Sequence, residues 1–361
     1  MYATLAESLD VLLPNLVPTL VRPEVIPGLK ALAGRLVPIV RGGFECRLSA
    51  HHPQVDLQQC IVADDRELGL LQSSMAVAAS GVEGAECQHW LSLQHFIAAW
   101  SEPFSLLHDS IPEIWLEFDN DRTSQGLPLP AVFFALPQDI SPAMDTYKIA
   151  AQSLNLLLGL SGWREWQTPL SRCFAACPDG GFVSHIGVML SRRAPALRVN
   201  VKRLQPDTLH PYLQHIGWPY ETHGVQTLMQ QLSTRADRIT VCLDVGQTIY
   251  PRLGFECIFL HQPPQDAGWT KLLDDLVHQG LCTSEKRDAL LSWPGQTTPV
   301  NSLVSWPEHL IVASLLQPSS SFTAFDRRLS HLKVSWQPPH VLEAKAYLWF
   351  QHQWISREGA R

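Results

Sequence analysis

Five times along this chain the spacing of apolar residues switches from the three-to-four-residue period of a helix to alternation, and back again. A stretch with one period cannot adopt the other structure without turning its apolar side chains to water, so the switching fixes element type. Residues 5–40 have helical spacing broken by Pro14, Pro18, Pro23, Pro27 and Pro38, which predicts several short helices. Alternation begins at Phe44, and residues 44–49 and 55–63 read as a hairpin about a turn at His52-Pro53.

The event recurs. Residues 111–119 and 131–136 form a second candidate hairpin, with turn formers over 120–130 between them. A helix follows to about residue 158, opened by Ser141 as N-cap and Pro142 at its first position. The third hairpin is 185–191 and 197–202, turning at 193–195; helical segments then run over 206–232. The fourth is 239–245 and 252–259, turning near Gly246. Helices over 269–279, stopped by Gly280, and 284–293, before Pro294-Gly295, come next. The fifth, 331–336 and 343–351, turns at Pro338-Pro339.

Each hairpin sorts its side chains onto two faces. One face is apolar, with Phe44, Cys46, Leu48, Ile114, Leu116, Phe118, Ile186, Val199, Val241, Phe255, Val334 and Leu348 typical of it. The other is mainly polar: Glu45, Arg47, Trp115, Glu117, Asp119, His185, Arg198, Asn200, Lys202, Thr240, Asp244, Arg252, Glu256, His331, Lys333, Lys345, Tyr347 and Trp349. The helices bury their stripes on the apolar faces. An open antiparallel sheet, helices on one side and solvent on the other, gives this alternation too. About ten strands tend to curl and close, and closure removes the edges. The expected fold is therefore α/β: a ten-stranded antiparallel barrel of five helix-then-two-strand repeats, helices outside. A length of 361 residues would admit two domains, but barrels of this size form single units, and one domain over 1–361 is expected.

With a formal net charge of -7 and no run of Lys or Arg, nucleic acid is not an expected partner. Glu7 and Asp10 stand where a secretion signal needs a basic start, and no apolar run reaches the ~20 residues of a membrane span. A cytoplasmic protein is expected. Eight cysteines are too dilute for a disulfide scaffold, and Cys173-x3-Cys177 with downstream His185 lacks a fourth ligand and a standard metal spacing. No metal site is assigned.

In a closed barrel Arg47, Arg198, Lys202, Arg252, Lys333 and Lys345 would enter one lumen, where a diphosphate is their natural complement. Alternatively, some of them pair with Glu117, Asp119, Asp244 and Glu256 across the barrel. Trp115, Tyr347 and Trp349 would shield a carbocation, with Met189 and Asn200 beside them in an acceptor pocket. Glu117 could orient an acceptor N–H or O–H and take its proton. There is no Asp-Asp-x-x-Asp, Asp64-Asp65-Arg66-Glu67 and Asp274-Asp275 being poor matches. Phosphate-binding P-loops, Gly-x-Gly-x-x-Gly turns and Gly-x-Ser-x-Gly elbows are also missing.

This element order resembles the ABBA-type aromatic prenyltransferases, including the fungal dimethylallyltryptophan synthases and the cyanobactin peptide prenyltransferases. The resemblance spans nearly the whole chain, with thin motifs. Lys345-Ala346-Tyr347 looks like that family's Lys-x-Tyr diphosphate pair. Arg198-x-Asn200-x-Lys202 is similar to another, with Asn in place of Tyr. Residues 112–117 loosely resemble the Pro-x-Glu context of the indole-type members. The resemblance implies transfer of a dimethylallyl or geranyl group from its diphosphate to an indole, a phenol, or a Trp or Tyr of a peptide. It implies no required cofactor; Mg2+ would find ligands in Asp119, Asp244 or Glu256. The competing expectation is a non-catalytic binding accessory of a biosynthetic pathway, which the twelve Trp residues, among them Trp163, Trp166, Trp293, Trp306 and Trp354, suit equally well.

Overall fold

The computed structural model describes residues 3–50, 52, 54–79, 85–119, 127–138, 143–191, 196–317 and 321–356. Ten of its strands form five hairpins: β1 (Arg41–Arg47) with β2 (Val55–Val62), β3 (Glu113–Phe118) with β4 (Ala131–Ala135), and β5 (Phe182–Val188) with β6 (Leu197–Lys202). β7 (Arg238–Val245) pairs with β8 (Ile249–Ile258). A short β9 (Gly295–Thr297) precedes the last hairpin, β10 (Ser321–Gln337) with β11 (His340–Ser356). All pairings are antiparallel in the order β11-β1-β2-β3-β4-β5-β6-β7-β8-β10, and β11 also pairs with β10. The sheet is a closed barrel, not the open alternative. Chain order puts the joined ends of each hairpin's strands at one end of the barrel and the helical connections at the other.

The helices form an outer layer. They are α1 (Leu5–Leu12), α2 (Ile26–Ala33), α3 (Asp65–Ala79), α4 (Ala85–Ser101), α5 (Leu106–Ser110), α6 (Ala143–Gly162) and α7 (Gln167–Ala175). Then come α8 (Pro206–Ile216), α9 (His223–Ser233), α10 (Ala267–His278), α11 (Ser284–Ser292) and α12 (Glu308–Ser314). α8 buries Leu209, Tyr212, Leu213 and Ile216, and α10 buries Trp269, Leu272, Leu273 and Leu276; this is the one-sided spacing that seats a helix on a sheet. The apolar strand face meets them: Phe44, Leu116, Ile186, Val199, Val241, Phe255 and Leu332 are fully buried. Among the described residues no helix is long and apolar enough to cross a membrane.

Two expectations need correction. The fifth hairpin is far longer than 331–351: β10 and β11 run 17 residues each, past the barrel, where β9 pairs with Phe325, Asp326 and Arg327. Polar residues on both faces of 321–330 masked the alternation. Trp163 and Trp293 are core side chains, 2% and 1% exposed, and not elements of a binding surface. The cap at Ser141-Pro142 and the turn at 193–195 lie outside the described residues.

One cross-layer anchor holds the hairpin end. Lys286, in the first turn of α11, donates through Nζ to the carbonyls of Arg47 (2.6 Å), Ser49 (2.9 Å) and His52 (3.2 Å), tying the helix to the β1–β2 turn. Lys286→Met leaves those part-buried carbonyls without their charged donor, and urea unfolding should show a loss of about 1–3 kcal/mol.

Candidate active site in the barrel lumen

The inward faces enclose a cavity of about 360 Å³. Of the residues expected to face it, Trp115, Glu117, Met189, Arg198, Asn200, Lys202, Arg252, Lys333, Lys345, Tyr347 and Trp349 all line it. Arg47 does not. It is the last residue of β1, and its guanidinium is held by Asp56 (2.9 Å), which lies outside the cavity lining, while Glu45, which does line it, is farther off at 3.7 Å.

Register explains the convergence. Lys202 on β6 lies opposite Thr240 on β7, Thr240 opposite Glu256 on β8, Glu256 opposite Lys333 on β10, and Lys333 opposite Lys345 on β11. A row of inward residues thus crosses five strands. The facing wall is aromatic: Trp115 and Trp349 tilt against each other with centroids 5.5 Å apart. Phe133 lies over Gly187, where a Cβ would come within 2.4 Å of its ring.

Most of the cations already hold a carboxylate. Arg198 Nε donates to Asp244 (2.6 Å), Lys333 Nζ to Glu256 (3.1 Å) and Lys345 Nζ to Glu45 (2.7 Å), while Arg252 is bound to Glu343 and to Ser335 (3.2 Å). Pairing across the barrel is therefore more extensive than the sequence suggested, and Glu45, Asp56 and Glu343 were not foreseen as partners. Lys202 has no hydrogen-bond or ion-pair partner for its ammonium among the described residues. Glu45 also accepts from Tyr347 Oη (2.5 Å), so the anticipated Lys345-Tyr347 pair is organised around a resident carboxylate. Glu117 takes a hydrogen bond from Gln58 Nε2 (3.1 Å).

Burial by itself would raise the Glu45 and Glu256 carboxyls, but the adjoining ammonium groups overcome it. Glu45, beside Lys345, falls well below the carboxylate range, and Glu256, beside Lys333, falls to about 2. Burial and the neighbouring Glu45 raise Asp56 to about 6, despite Arg47. Burial, aided by Lys202, lowers His185 to about 4. Burial also takes His331, stacked 4.1 Å from Tyr347, to about 4.

Four further contributors carry no role in the sequence reading. Glu113, which accepts from Trp115 Nε1 (3.1 Å), shares the parity of Trp115 and Glu117 and was findable from it. Gln58 and Asp56 sit on β2, whose continuous extended run hid its two faces. Phe133 is apolar, and a polar-inward rule passes it over. Asp119 accepts from Ser191 (3.4 Å), Asp244 serves Arg198, and Glu256 serves Lys333. Among the described residues no three His, Cys, Asp or Glu groups come together to hold an ion. Cys173 and Cys177 bond to backbone carbonyls of α7 while His185 faces the lumen.

No known family model matches the sequence, and no curated protein is detectably similar to it. Solved structures are similar in fold. A 6-dimethylallyl tryptophan synthase superposes with a TM-score of 0.53 at 11% identity, covering 96% of each chain. The 5-dimethylallyl tryptophan synthase of Streptomyces coelicolor, solved with DMASPP and Trp, gives 0.53 at 12% identity over 99% of this chain and 96% of the other. PriB in complex with product diphosphate gives 0.52 at 13% over 99% and 97%. The chain is an ABBA barrel.

Two outcomes follow from the packing of the lumen and of the β10–β11 extension, where His352 lies opposite Phe325. A methyl at Gly187 collides with Phe133, so Gly187→Ala should lose about 1–3 kcal/mol in urea unfolding, and adding Phe133→Ala should restore part of it. His185, His331 and His352 stay neutral down to about 4 in the folded chain against an ordinary 6.5, and burial is the leading cause for each. Their contribution is complete above pH 6.5 and is lost as pH falls toward 4, because the unfolded chain binds the protons first. Asp56 acts in the opposite sense between 3.8 and about 6, cancelling about one proton. Unfolding near pH 5 should take up about two protons, measurable as the slope of stability against pH.

Proposed function

We propose that the lumen transfers an allylic isoprenoid, dimethylallyl or geranyl, from its diphosphate to an aromatic acceptor: an indole, a phenol, or a Trp or Tyr of a peptide. The observation that carries this reading is the placement of Arg198, Lys202, Arg252, Lys333 and Lys345, from four strands, in one cavity with the Trp115–Trp349 pair and Glu117. The similar folds of enzymes named for dimethylallyl transfer to tryptophan support it.

The chemistry divides among these residues. Arg198, Lys202, Arg252, Lys333 and Lys345, with the Tyr347 hydroxyl, hold the diphosphate and stabilise it as the C1–O bond breaks and the oxygen keeps the electron pair. Trp115 and Trp349 face the allylic cation, and Met189, Asn200 and the aromatic wall exclude the water that would quench it. An acceptor ring carbon bonds to C1. The proton displaced from that carbon passes to Glu117, held by Gln58, and aromaticity returns. Arg47, tied to Asp56, would support Glu45 and the β1 end of the site without touching substrate. The reading needs no cofactor and places the protein in the cytoplasm, where its eight free thiols would persist.

One observation favours the second reading, a non-catalytic binding accessory: most lumen cations carry resident carboxylates that an incoming anion must displace. Incubation with dimethylallyl or geranyl diphosphate and a panel of indoles, phenols and Trp- or Tyr-containing peptides should release diphosphate and yield a prenylated product. Glu117→Gln should reduce turnover by on the order of 10²–10⁴. Joint Lys345→Ala and Tyr347→Phe should abolish it while the protein stays folded. Absence of turnover together with no thermal stabilisation by inorganic diphosphate would refute the enzyme reading; an accessory would bind its ligand indifferently to the double substitution.

A further inference from the structure

Residues 295–317 carry a surface that the barrel does not use. Val300 and Leu303 are 96% and 81% exposed, and Val304 is partly so. Past them, Ile311 and Val312 on α12 point outward, and Leu315 and Leu316, 80% and 84% exposed, follow one turn later on the same side. The inner side of the segment is firmly docked. Leu310 is buried, Trp306 meets Phe325 of β10 edge-on at 5.0 Å, and His309 reaches Glu7 at 3.2 Å. The apolar outer face is thus fixed in place by packing beneath it.

Isolated exposed apolar residues are ordinary; seven within 17 positions are not. We propose that this face is the interface between two copies of the chain. Two features point to a second copy. Residues 295–317 contain no Lys or Arg and one carboxylate, Glu308, so two such faces meet across a two-fold axis with little like-charge repulsion. The same absence of basic residues, in a chain of net charge -7, disfavours an anionic bilayer. Area is the second feature. At roughly 60–120 Å² per side chain the patch offers on the order of 600 Å². Doubled across the axis, this exceeds the ~1,000 Å² of a specific interface.

Sedimentation equilibrium of the full chain, up to about 100 μM so that even micromolar affinity populates the complex, tests this. The expected result is a species of twice the 40.4 kDa chain mass. Val312→Glu with Leu315→Glu should return it to the monomer with an unchanged far-ultraviolet circular dichroism spectrum, while Leu160→Glu, at an exposed position of α6, should remain dimeric. A wild-type chain that stays monomeric, or a double variant that stays dimeric, overturns the proposal. Flotation of a monomeric wild type with phosphatidylcholine vesicles would overturn it in favour of a membrane surface.

Discussion

The pairing of β11 with both β10 and β1 is the contact on which the rest of the structure depends. In an open sheet the polar face meets bulk water and its charges are individually solvated. Closing the sheet puts the same side chains into a space of about 360 Å³, where the effective dielectric falls and each charge must find a partner. The ion-pair row and the neutral His185 and His331 are consequences of that closure.

Charge compensation is the lumen's second organising feature. Glu45, beside Lys345 and Arg47, and Glu256, beside Lys333, are held ionised by those cations, and Asp244 and Glu343 form ion pairs with Arg198 and Arg252. Such pairs keep long side chains in fixed positions before any ligand arrives, which lowers the ordering cost of binding. They also oppose binding, since an anion must compete with carboxylates already present. Lys202, without such a partner among the described residues, is the exception, with Glu256 and Glu113 attracting its charge only at longer range.

Much of the fold was legible because strand and helix periods differ and because at least one strand in each of the first four hairpins alternates. The fifth was legible only in its barrel portion: where β10 and β11 extend beyond the sheet, both faces are covered unevenly and alternation disappears. Strand parity with a polar side chain marks Glu117, Lys202, Lys333, Lys345, Tyr347 and Trp349 as inward but passes over Phe133, whose apolar side chain imitates an outward one. Arg47 had the right parity, but sits at a strand end, where a nearby carboxylate on β2 decides the direction of a long side chain.

Parity along each strand is a local property, and the sequence alone determined it: which residues share a face, which segments are helices, and that about ten strands must dispose of a polar side. Partnership is not local. Glu45 and Lys345 are 300 positions apart and meet because β1 and β11 are neighbours across the seam, as Lys333 meets Glu256 through the β8–β10 pairing. Only closure and register decided which cations are neutralised, because the strength of a charge pair depends on ångström-scale separation that no linear pattern encodes.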